Sequence, residues 1–332
     1  MGKNAFFEKK SEPHLNTLKE ISMGKIELLR KRIETDFSLD KPLHKYICIY
    51  ACGSLGRYEM SEGSDLDLFF IITNSENGKC YEFTNLEKYC FFSQMNKINE
   101  DLGFPPPSKG GMYWDFISEE DLIDIGSRKE DYNNSLTARA LLLLESKPLL
   151  NKEIYDRLLD KIIDVYFADY KDHQQDFYPM FLMNDILRYW YTLTLNYEYR
   201  RDNSDKVNKR YWKRLKLKFS RLLTCFSLLA CLYKKSIGPQ DVKRYVKMTP
   251  FERLHEIALK DKEVANIVSE IEDEYEWFLN LKVSDDEDWW NDDKNKAEAL
   301  SHADKFHDLF IHKLMKYIST KNSVLQLKMD MY

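Results

Sequence analysis

Apolar positions along the first part of the chain follow two different periods. Leu15, Leu18, Ile21, Ile26, Leu28, Leu29 and Ile33 recur at helical spacing, which predicts an amphipathic helix over 14–37 packed on a sheet and ended by Asp40-Lys41-Pro42. Two runs rich in β-branched and aromatic residues follow, 46–51 (YICIYA) and 66–73 (LDLFFIIT), and predict strands either side of a polar bend. Residues 75–78 read as a turn, and 82–102 as a helix burying Leu86, Tyr89, Cys90, Phe92 and Ile98. The segment 103–111 (GFPPPSKGG) reads as a loop, either one wall of a cleft or a plain connector, and 112–117 as a third strand. From Asp131 on, the pattern is helical: 137–146 (ended by Lys147-Pro148), 151–170 with Asn151 as N-cap, 181–201, 211–235, 239–248, 250–260, 262–281 and 295–319. The fold class expected is α+β, a small mixed sheet with helices over residues 1–150 followed by an all-α domain over 151–332.

With 43% hydrophobic residues, a chain of 332 can bury a core for one large or two ordinary domains. The net charge of −5 supplies no global basic field, so any polyanion must be met locally. The longest apolar run, 222–233, is too short to span a bilayer, and residues 1–10 (MGKNAFFEKK) carry no signal-peptide core. Phe6 stands where a myristoylated N-terminus has Ser or Thr, so no membrane association and a cytoplasmic location are expected. Cys48, Cys52, Cys80, Cys90, Cys225 and Cys231 lack a CxxC spacing and read as small core residues. His302, His307 and His312 recur every five residues, about 140° apart on an α-helix, so they form no common ligand face. The acidic stretch 284–293 (SDDEDWWNDD) lacks the glycine and closing glutamate of a calcium hand and reads as a solvated connector with Trp289 or Trp290 turned inward.

Chemistry gathers between the two predicted strands. Asp65 and Asp67 are two residues apart, so both carboxylates share one face, about 6–7 Å apart along the backbone, while Leu66 and Leu68 point to the other. Such a pair can converge on Mg²⁺, which is bound by one or two carboxylates together with phosphate oxygens. Upstream, Gly53 lets backbone approach a ligand, Ser54 offers an N–H and a hydroxyl, and Arg57 is a bidentate phosphate donor.

The pattern G-S-x-G-R-x-E (53–59), then S-D-x-D (64–67) and apolar residues, resembles the nucleotidyltransferase superfamily with the DNA polymerase β fold. Its spacing and the Arg57/Glu59 pair are similar to the PII-uridylyltransferase branch and its uncharacterised relatives, as are 102–106 ahead of 110–112, and 141–149; the likeness covers residues 45–150. It implies a polymerase β-like domain that moves a nucleoside monophosphate from an NTP, such as ATP, to a hydroxyl acceptor and releases pyrophosphate. Asp65 and Asp67 would hold two Mg²⁺ ions. A third carboxylate on a neighbouring strand is expected, with Asp115 the candidate and Asp131, or none, the alternatives. Gly53, Ser54, Arg57 and Ser64 would bind the nucleotide, and Glu59 would orient Arg57 or cap the bend. Such enzymes draw a lysine and a serine from the helical half, for which Lys218 and Ser220 are the candidates; the basic stretch around them (Lys213, Arg214, Lys216, Lys218, Arg221) equally suits a solvated helix face. Asp185, Arg188 and Tyr189 fit either a contact with base, ribose or acceptor, or a polar bridge between helices. The branch suggests a protein acceptor, while a small molecule or RNA also suits the fold. Two other readings are a catalytically silent nucleotide-binding sensor and a toxin-like nucleotidyltransferase acting on tRNA.

Overall fold

The computed structural model describes residues 14–37, 42–74, 81–126, 134–201, 207–234, 236–284 and 287–320. A mixed sheet in the order β3-β2-β1-β4 carries the motif. β1 (Ile47–Ala51) and β2 (Leu68–Ile72) pair antiparallel from Ile47 opposite Ile72 to Ala51 opposite Leu68. They are shorter than the apolar runs because Tyr46 belongs to a 3₁₀ turn and residues 65–67 run on beyond the ladder. β3 (Phe116–Ser118) lies parallel to β2, with Phe116 beside Phe70. The strand expected over 112–117 starts late because Met112 and Tyr113 still belong to the turn that follows left-handed Gly110 and Gly111. Lys147 and Pro148 do more than stop a helix. They open β4 (Lys147–Leu150), an edge strand on β1, where a proline without an N–H is tolerated and the register slips between Ile49 and Tyr50.

Fourteen helices surround the sheet among the described residues: α1 (His14–Asp36), α2 (Gly53–Gly56), α3 (Asn85–Asp101), α4 (Glu119–Ile123), α5 (Ser135–Glu145), α6 (Lys152–Tyr166), α7 (Met180–Arg201), α8 (Val207–Lys216), α9 (Leu222–Leu232), α10 (Pro239–Tyr245), α11 (Pro250–Ala258), α12 (Lys262–Ser284), α13 (Asp293–His307) and α14 (Lys316–Thr320). On one face of the sheet, Ile47, Ile49, Leu68 and Phe70 pack with Ile26, Leu29 and Ile33 of α1 and Phe91, Met95 and Ile98 of α3. α3 begins at a capping box in which Thr84 Oγ1 accepts from Glu87 N and the Glu87 carboxylate accepts from Thr84 N. Its buried side differs from the expected one. Leu86 and Tyr89 are 75% and 69% exposed and Cys90 is exposed, because Phe91 and Phe92 turn into a ring cluster with Phe70 and Phe116. On the other face, Cys48, Tyr50 and Ile71 share one continuous core with α5, α6, α9 and α12, so the packing crosses residue 150 without a break.

Inside that core, Asp185 accepts from Arg139 Nη2 (3.1 Å), Tyr166 OH (2.6 Å) and Arg188 Nη1 (2.9 Å), a polar bridge between α5, α6 and α7. Two π-helical segments interrupt the helical half, Leu217–Arg221 between α8 and α9 and Asp308–Met315 between α13 and α14. The second brings the His307 and His312 rings to 5.9 Å, while His302 bonds Glu274 and stacks on Trp277, so the three histidines share no ligand face. Trp290 is the tryptophan turned inward, against Trp212. Cys80, Asp131, the 75–78 turn and Asp40-Lys41 lie outside the described residues. Among the described residues no helix is long and apolar enough to cross a membrane.

Candidate active site

The site begins where β1 ends. Cys52 N donates to Asp67 O (3.0 Å), holding 65–67 against the bend, and the chain reverses at Gly53 in left-handed backbone (φ 67°). A Cβ at Gly53 would overlap the Asp67 carboxylate, so glycine is the residue that lets this acid lie against the backbone. A Cβ at Gly56 would run into the Glu145 carbonyl, which fixes how closely α2 approaches the end of α5. Ser54 is half-buried on α2, and Ser64 closes the turn before the acids, its Oγ accepting from Ser61 N (3.1 Å).

Beneath the bend lies a buried ionic layer. Glu145 accepts from Gly53 N (3.1 Å), Arg57 Nη1 (2.6 Å), Arg221 Nη1 (2.7 Å) and Thr224 Oγ1 (3.0 Å). Arg57 Nε donates to Glu59 (2.9 Å), which accepts from Tyr275 OH (2.9 Å). Although burial alone would raise it, the two guanidiniums and their hydrogen bonds bring the Glu145 pKa down to about 2. This corrects the expectation for Arg57: its side chain is 6% exposed and held between two glutamates, so it stiffens the bend and is not offered to a phosphate. Likewise the first amide of α2 is occupied by Glu145 and does not point at a ligand.

The two acids differ. Asp65 is exposed, and its Oδ2 accepts from Ser108 Oγ (3.4 Å). Asp67 is half-buried, and its pKa is pushed up to about 6, first by burial, then by the charge of Asp65, with Arg221 and Arg57 offsetting only part. Two lysines that sequence reasoning did not assign feel the charge of these acids. Burial lowers Lys282 to about 8, against Glu59 and Asp65, which favour its charge; Lys282 Nζ donates to Glu59 O (2.7 Å). Burial also lowers Lys216, against the favourable charges of Asp65 and Asp67.

The remaining candidates are elsewhere engaged. Asp115 lies just before β3, is 73% exposed, caps Phe116 N (2.8 Å) and pairs with Lys88 of α3 (3.6 Å), so it does not join Asp65 and Asp67. Lys218 pairs with Asp304 of α13. Ser220 is buried and its hydroxyl pairs with Tyr275 OH (3.2 Å), whose own proton goes to Glu59. Lys216, two positions earlier and just ahead of the π segment, is the lysine of this stretch that feels the charges of Asp65 and Asp67. Glu145 was also missed, although a lone acid closing the run LLLL is a signal of a buried charge seeking a cation.

The donors suit one hard cation. Asp65 and Asp67 are all-oxygen ligands, and an acid left short of counter-charge at Asp67 is what a divalent ion would relieve. Among the described residues no three His, Cys, Asp or Glu side chains gather into a metal-binding group, so a second ion would need ligands from the substrate. In comparison with known proteins, no family model and no curated protein matches this chain.

Proposed function

We propose that this protein, built on a polymerase β-like domain, transfers a nucleoside monophosphate from an NTP to a hydroxyl acceptor and releases pyrophosphate. One observation carries the reading: Asp65 and Asp67 share an edge with the Gly53–Ser54 bend, Asp67 lacks full counter-charge, and Lys216 and Lys282 act on that edge from the helical half. Asp65 and Asp67 would hold Mg²⁺, which when bound supplies Lewis-acid stabilisation of phosphoryl charge in an in-line displacement. Lys216 and Lys282 grip the β- and γ-phosphates as point charges, and the Ser54 hydroxyl orients them. Glu145, Arg57 and Arg221 hold the bend rigid, so a bound triphosphate meets a preorganised wall.

The test is incubation of the chain with Mg²⁺, each of the four α-labelled NTPs and a cell extract. Labelled acceptor and pyrophosphate are expected, and the Asp65→Asn/Asp67→Asn double variant should lose both with its circular dichroism unchanged. Full activity in that variant refutes the assignment. The outward pairing of Asp115 with Lys88 favours a second reading, nucleotide binding without transfer; calorimetric NTP binding with neither label nor pyrophosphate would select it.

A further inference from the structure

The loop between α3 and β3 is fixed at both ends. Asn99, 1% exposed, donates Nδ2 to Pro105 O (2.9 Å) and Phe104 O (3.4 Å), Phe104 is buried, and Trp114 packs edge-on against Phe70 at 5.7 Å. Between these anchors three successive prolines stiffen the chain. Lys109, Gly110 and Gly111 then all take left-handed backbone (φ 52°, 65° and 81°), a conformation that costs a lysine about 1 kcal/mol. The hydroxyl that this framework presents is that of Ser108, whose Oγ lies 3.4 Å from Asp65 Oδ2 across 43 residues of sequence. It is exposed, and its neighbours Met112 and Tyr113 are more than half exposed, so a nucleotide can reach it from solvent. A hydroxyl held beside a carboxylate of the candidate site stands where an acceptor would meet a nucleotide bound there.

We propose that Ser108 is a nucleotide acceptor, modified by the site of its own chain. The inference rests on the transfer reading above and gives it an acceptor. Ser108 Oγ attacks the α-phosphorus of the NTP. The Oγ–P bond forms, the bond from the α-phosphorus to the bridging β-oxygen breaks, pyrophosphate leaves with that electron pair, and the Ser108 proton is released to solvent. Because the acceptor belongs to an anchored segment of the same chain, the reaction is unimolecular once NTP is bound.

The test uses the purified full chain with Mg²⁺ and each of the four NTPs in turn, read by intact mass and by peptide mapping. The expected result is a gain of one nucleoside monophosphate per chain, mapping to Ser108, at a rate independent of protein concentration. The gain should be absent in Ser108→Ala, retained in Ser108→Thr, and at least about 10²-fold slower in Asp67→Asn. An adduct mapping elsewhere, or an unmodified chain that still labels a component of the extract and releases pyrophosphate, overturns this inference alone. Loss of adduct, extract label and pyrophosphate together overturns it along with the transfer reading.

Discussion

Replacing Asp67 by asparagine should stabilise the ligand-free protein while removing its activity. In the folded chain the Asp67 carboxyl titrates at about 6 instead of 3.8, chiefly because burial penalises its charge and secondly because Asp65 repels it. A carboxyl with a raised folded pKa binds its proton more tightly when folded. Stability is therefore highest below the unfolded value, falls as pH rises from about 4 to about 6, and stays at the lower level above. The difference amounts to about 3 kcal/mol at neutral pH, reduced toward about 2 kcal/mol by the partial exposure of the side chain. Asparagine keeps the shape that fits against Gly53 and removes the charge. Urea denaturation of both proteins from about pH 4 to about pH 8 should show the variant gaining about 2 kcal/mol at the upper end and nothing at the lower. Equal or lower stability of the variant at neutral pH would mean that ionised Asp67 is already compensated, and the argument for a cation-seeking edge would fail.

The remaining predictions concern the layers around that acid. Gly56→Ala should cost about 3 kcal/mol or more, visible as a lowered urea midpoint or loss of soluble protein, because its methyl would overlap the Glu145 carbonyl. Glu145→Gln leaves buried Arg57 with Glu59 alone and half-buried Arg221 without the counter-charge the two share, and should cost about 3 kcal/mol. Since the Glu145 pKa is held at about 2 against 4.5 unfolded, its contribution is present above the unfolded value and lost as pH falls through that window, so the variant should show a flatter acid limb in a stability–pH profile. Lys282, with a pKa of about 8, should release NTP as pH rises past that value; Lys282→Arg keeps its charge, so the rise in KM at alkaline pH should disappear.

Much of the sheet was legible in the sequence because strand period and residue type agree. Leu66, Leu68 and Phe70 alternate with Asp65, Asp67 and Phe69, and only one register buries the first set. β4 was not legible, since Pro148 argues against a strand until the edge of β1 is there to receive it. The rotation of α3 was misread for a similar reason: its apolar residues spread around the helix, and the choice among them is made by Phe70 and Phe116. Asp65, Asp67 and the Gly53 bend stand out because their spacing is local. The partners of Arg57 do not, since Glu145 lies 88 residues away and nothing local links the two. Asp115 looked like a site residue as the one acid among apolar and aromatic neighbours, yet the end of β3 lies beside Lys88.

The π turn at Leu217–Arg221 sits in an otherwise continuous rod of helix. Its extra residue is housed within the widened turn, so deleting one residue there would leave a uniform helix in which Lys216 and Arg221 keep nearly their present faces, whereas a deletion inside α8 or α9 would turn everything before it by about 100°.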